Sequence, residues 1–144
     1  MNSVKKLLAQ KPQSNVWSVT PQAMVIDALQ LMAEKNIGAV VVVDGDELVG
    51  IFSERDYARK GIIQGRSAKT TPITEVMTPK VFTVSPQMDI LECMRLFSEK
   101  RFRHLPVMDE GKVVGVLSIG DIVTSIMNDQ KNHIEYLEQY INQG

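Results

Sequence analysis

Val16-Trp17-Ser18-Val19-Thr20-Pro21-Gln22 is written a second time, in altered letters, as Val81-Phe82-Thr83-Val84-Ser85-Pro86-Gln87. The two prolines set an offset of 65 residues (86 − 21). The same step carries Val42 onto Val107, Asp44 onto Asp109, Gly50 onto Gly115, Ser53 onto Ser118 and Asp56 onto Asp121. One register held over such a stretch without a gap marks an internal duplication, which decides the fold before any single motif does.

Each copy reads the same way locally. Val16 to Val19 is short and β-prone, and Thr20-Pro21 ends it because proline cannot continue a ladder. Val25, Ala28, Leu29 and Met32 then fall on one stripe of a helix, as do Ile90, Cys93, Met94 and Phe97 in the second copy. Asn36 and Gly38 tolerate the left-handed backbone that stops a helix. Ala39 to Val43 is β-branched and apolar on both faces, which predicts a buried strand. Asp44-Gly45-Asp46 turns it into Leu48 to Phe52, and Asp109-Glu110-Gly111 does the same for Leu105 to Met108 and Val113 to Leu117. Ser53 and Ser118 open further helices.

A unit of about 60 residues is marginal alone. The expected fold is therefore α/β (α+β): two βαββα repeats packed sheet to sheet about a pseudo-twofold axis. The corresponding boundaries are a helix and lead-in at 1–15, repeat 1 at 16–64, a Gly-, Ser-, Thr- and Pro-rich linker at 65–80 with a helical turn over 73–77, repeat 2 at 81–125, and a helical extension at 126–144. The last helix keeps an apolar edge of Ile126, Met127, Ile134, Leu137 and Ile141, which suits self-association, a cap over a sheet or plain packing.

Composition narrows the function. Sixteen basic and seventeen acidic residues leave a net charge of -1, which offers no electrostatic footprint for nucleic acid. The single cysteine, Cys93, allows no intrachain disulfide. No apolar signal follows Lys5-Lys6, and Ala39 to Val43 is too short to span a bilayer. These features lead to the expectation of a cytoplasmic protein with no membrane role.

Gly50-Ile51-Phe52-Ser53-Glu54-Arg55-Asp56 and Gly115-Val116-Leu117-Ser118-Ile119-Gly120-Asp121 resemble the glycine, hydrophobic, any, Ser/Thr, any, any, Asp pattern of cystathionine-β-synthase-type (CBS) domains. Arg103-His104-Leu105-Pro106-Val107 is similar to the strand after the first helix of such domains. The likeness runs from Val16 to Val123 and is specific through its duplication. It implies a tandem CBS module with two related clefts that hold AMP, ADP, ATP, NAD or S-adenosyl ligands, a homodimer, and regulation of a protein partner. With nothing attached, the chain resembles the stand-alone members.

Ser53 and Asp56 have two compatible readings. A serine followed three residues later by an acid is close to a capping box. A carboxylate can also accept both ribose hydroxyls while the serine meets a ribose or phosphate oxygen. Arg103 and His104 are either a solvated rim or phosphate ligands, since a guanidinium donates bidentately to phosphate. If the repeats exchange elements as the family does, one cleft, which holds the better phosphate site, is made by Ser53, Arg55, Asp56, Thr83, Arg103 and His104. The other then uses Trp17, Thr20, Asn36, Gly38, Ala39, Ser118 and Asp121. Trp17 has core as its commoner fate.

No catalytic residue and no metal site are expected. Ser118, Asp121 and His104 are triad residue types without a nucleophile elbow, and one cysteine with two histidines gives no zinc spacing. No phosphate-binding P-loop is present, and no cofactor is required. The reading is an adenine-nucleotide-binding regulatory module, with a ligand-independent adaptor as the alternative.

Overall fold

The computed structural model describes residues 3–11 and 15–142. Part of the expected lead-in, at 12–14, and the last two positions of the expected extension lie outside the described residues. The chain divides into two compact units that do not follow the repeat boundaries. One comprises Met1–Ser14, Pro86–His104 and Leu117–Gly144; the other comprises Asn15–Ser85 and Leu105–Val116.

In the second of these, β1 (Ser18–Val19) runs parallel to β2 (Ala39–Asp44), which pairs antiparallel with β3 (Glu47–Ser53). The four residues Ala39 to Val42 are all buried, as a strand apolar on both faces should be. Helix α2 (Val25–Lys35) lays Val25, Ala28 and Met32 against Val40, Val42 and Phe52 in one cluster. Asn36 ends it in left-handed conformation, φ 56° and ψ 50°. After β3, a helical turn α3 (Glu54–Asp56) runs into a π-helical stretch, Tyr57–Ile62. The glycine of the first motif has a steric reason: a Cβ on Gly50 would collide with the Met77 sulfur.

Part of the stretch read as a linker is core. Ile73 and Val76 are fully buried in the same cluster as α2 and Phe52. A 3-10 turn forms at Ile73–Glu75. Thr78 exchanges backbone hydrogen bonds with Ile51 at 3.0 and 2.8 Å, and Val25 and Ile73 bond to Thr71 and Ala23 at 2.9 Å each. Composition predicted looseness because Gly, Ser, Thr and Pro flank the two apolar residues that anchor it.

The second copy repeats these elements at the same step. Helix α4 spans Ile90–Lys100, β4 His104–Asp109 and β5 Lys112–Ser118. Arg101 takes the left-handed position, φ 58°, that Asn36 holds in the first copy. The first strand differs: it shrinks to a single parallel bridge, Val84 to Val107, the counterpart of Val19 to Val42. Both hairpins fall largely in the same compact unit.

The other unit is helical. Ser3 caps α1 (Val4–Gln10), its Oγ accepting from the Lys6 N–H at 3.2 Å. Val4, Leu7, Cys93, Phe97 and Ile122 are buried there, with α1 and α4 both packing on α5 (Ile119–Asn142). Val4 and Lys5 donate backbone bonds to Met88 and Pro86 at 2.9 and 2.8 Å. Ser3 bridges to Asp89 as Pro72 bridges to Met24. The N-terminal segment thus serves the second copy's helix as the connector serves the first copy's.

Candidate functional site

At the end of β3 the backbone of Ser53 is still extended, φ −126° and ψ 166°, so its side chain caps the following turn. Ser53 Oγ accepts from the Asp56 N–H at 3.2 Å and donates to Asp56 Oδ2 at 3.1 Å, while the Ser53 N–H donates to the same Oδ2 at 3.0 Å. Asp56 Oδ1 accepts from Thr78 Oγ1 at 3.2 Å, and Lys60 Nζ lies 3.8 Å from it. The capping reading of the sequence therefore holds, and the carboxylate has two partners the sequence reading missed. Lys60 was detectable four residues along a helix; Thr78 arrives only because the connector docks on β3.

The second copy builds the same cap. Asp121 Oδ2 accepts from the Ser118 N–H at 2.9 Å, and Ser118 Oγ accepts from the Asp121 N–H at 3.1 Å. Lys11 Nζ lies 3.0 Å from Asp121 Oδ2. This cation, from the end of α1, had no signal in the sequence. Gly120 keeps the first turn of α5 open, since a Cβ there would meet only Ser118 Oγ within 4 Å.

Each cap sits with residues of its own copy's hairpin. Ala39 is directly opposite Ser53 in the β2–β3 register, and the Glu54 N–H donates to Gly38 O at 3.2 Å. Sixty-five residues on, the Ile119 N–H donates to Arg103 O at 3.3 Å. Gly38 and Ala39 therefore accompany Ser53 and Asp56, and Arg103 and His104 accompany Ser118 and Asp121. The reason is elementary: an antiparallel hairpin sets the start of its first strand beside the end of its second.

Thr83 lines a hollow of about 510 Å³ with Asp46, Glu47, Leu48 and Met108. Leu48 lies five residues before Ser53 on β3, roughly 17 Å at the rise of a strand, so Thr83 is at the far end of that strand from the cap. Trp17 is half-buried with Lys35 Nζ 4.4 Å from its ring centre, a cation–π contact rather than a free stacking face. The carbonyl of exposed Thr20 accepts from the Ala23 N–H at 3.0 Å. The Asn36 backbone N–H donates to Met32 O, and its side chain is exposed. Arg55 and Arg103 are exposed, and His104 is half-buried.

Two caps of one construction call for comparison with known proteins, and the CBS domain model matches residues 4–62 and again 73–128. The chain belongs to the CBS-domain family. Both matched segments begin where the docking segments do, at Val4 and Ile73. The chain is 40% identical over 134 residues to the CBS domain-containing protein CBSX3, mitochondrial, of Arabidopsis thaliana, covering 90% of this chain and 65% of that relative. Among solved structures it is similar to a CBS-domain protein from Burkholderia ambifaria MC40-6, with TM-score 0.85, 50% identity, and 90% and 96% of the two chains covered. It is also similar to CBSX2 in complex with AMP, with TM-score 0.73, 27% identity, and 89% and 98% covered. No helix of the described residues is long and apolar enough to cross a membrane. Among the described residues no group of three or more His, Cys, Asp or Glu could hold a metal ion.

Proposed function

We propose that this CBS pair binds an adenine nucleotide (AMP, ADP, ATP or NAD) at its Ser–Asp caps and reports occupancy to a protein partner, without catalysis. The observation that carries the reading is the cap built twice at one offset, with a carboxylate held by its own serine N–H in each copy. Such a carboxylate is oriented to accept ribose hydroxyls. The AMP complex of a similar CBS protein supports the choice of ligand class.

The two caps are unequal. Beside Ser118 and Asp121 lie Arg103, His104, Lys11 and the open first turn of α5, a 24-residue helix whose N-terminus favours an anion. Beside Ser53 and Asp56 lie Arg55 and Lys60, with the second carboxylate oxygen already taken by Thr78. Phosphate binding is accordingly stronger at the second cap. The module works as a homodimer, and the cytoplasm is the compartment our reading assigns.

Thermal unfolding with AMP, ATP, NAD and S-adenosylmethionine tests this. A ligand at 100 times its Kd stabilises the fold by about 2.7 kcal/mol. Asp121→Ala removes that stabilisation while the variant stays folded. No shift with any of the four refutes nucleotide sensing and leaves the ligand-independent adaptor. A nucleotide turnover that dies with Asp121→Ala refutes the non-catalytic reading.

A further inference from the structure

We propose that α5 pairs antiparallel with α5 of a second copy of this chain, along the edge Val123, Met127, Gln130, Ile134, Leu137 and Ile141. This deepens the homodimer reading by naming its surface and orientation, and it does not depend on nucleotide binding.

The sequence of α5 has two parts. Ile122 and Ser125 are buried, but every residue from 127 to 139 is exposed. At 24 residues the helix is about 36 Å long. A helical stretch exposed over so many residues is marginal in water by itself, because helices draw their stability from packing an apolar face. That face exists and is bare: Met127 is 63% exposed, Ile134 55%, Leu137 43% and Ile141 72%.

The spacing along the edge alternates four and three residues from Val123 to Ile141. A period of three and a half is that of helices that pair, with Met127, Ile134 and Ile141 in one core position and Val123, Gln130 and Leu137 in the other. Lys131 and Glu138 flank this seam on the same side, one heptad apart, and border a groove of about 420 Å³ with Met127 and Ile134. A twofold axis near Ile134 sets Lys131 of each copy against Glu138 of the other. It also centres the exposed stretch on itself, so each copy covers the other's edge. A parallel pair would instead set Lys131 against the partner's Ile126, so charge complementarity selects the antiparallel arrangement.

Sedimentation velocity over a concentration series at low salt tests the proposal, with circular dichroism verifying that each variant is folded. The wild-type chain forms a dimer. Ile134→Asp, at an exposed position, weakens it by about a hundredfold. Lys131→Glu creates two like-charge contacts and weakens it by roughly tenfold. The double variant Lys131→Glu/Glu138→Lys restores wild-type association, because the swapped charges again face opposites. A wild-type monomer, a dimer indifferent to Ile134→Asp, or a double variant no tighter than Lys131→Glu each overturns the proposal. The nucleotide thermal shift measured on Ile134→Asp separates this outcome from the fate of ligand binding.

Discussion

Replacing Asp56 by alanine strips a carboxylate of every partner the first cap provides. The Ser53 N–H at 3.0 Å loses its acceptor, and removing a cap of this kind costs about 1 kcal/mol. The Thr78 hydroxyl at 3.2 Å loses another, worth about 1 kcal/mol in a part-buried setting. The Lys60 ammonium, 3.8 Å away with its side chain 41% exposed, adds close to nothing after solvent screening. The loss is therefore about 2 kcal/mol, a fall in Tm of about 6 °C for a chain of this size. Thermal unfolding followed by circular dichroism in the absence of ligand reads it. Thr78→Val alone should account for about half of the loss, and Lys60→Ala for almost none. A fall below about 1 °C for Asp56→Ala would show that the cap contributes nothing net and that its geometry serves binding alone.

The connector and the buried thiol yield two further tests. Ile73→Ala should cost about 3 kcal/mol in urea unfolding, since Ile73 is fully buried against α2; a cost below about 0.5 kcal/mol would return the stretch to the status of a loose linker. Burial, with smaller contributions from Asp89 and Glu92, raises the Cys93 thiol from 9.0 to about 11. The unfolded thiol therefore loses its proton first, and the folding free energy attributable to it is complete below pH 9 and declines as pH rises toward about 11. Urea unfolding at intervals across that window should show the decline, and Cys93→Ala should lack that part of the slope.

Much of the architecture was legible because the two copies comment on each other. A short apolar run such as Ala39 to Val43 is ambiguous alone, but the same position in copy two, Leu105 to Met108, follows a helix of the same period and precedes a turn of the same chemistry. The helices α2 and α4, both hairpins and both caps sit where alternation, turn residues and the Ser-x-x-Asp spacing put them. The first strand of copy two is shorter than its composition suggests: Val81 to Val84 is β-prone, yet the pairing there is a single bridge, Val84 to Val107. Propensity proposes an element; neighbouring backbone decides its length.

The site was legible in part and for a definable reason. Ser53, Asp56, Ser118 and Asp121 announce themselves because a cap is a local structure, closed within three residues. Lys11 and Thr78 do not, because they are brought there by segments remote in the chain. The N-terminal helix docks on the second copy's helix, and the connector docks on the first copy's. No periodicity encodes that choice, since Val4 and Ile73 are equally apolar residues in short, unlike segments. Repeat number, element order and the caps were thus already present in the letters, through local hydrogen bonding and hydrophobic period. Which cation reaches which carboxylate, and that a Gly- and Pro-flanked stretch is core, depend on long-range packing, where burial free energy rather than local preference chooses between segments that look alike.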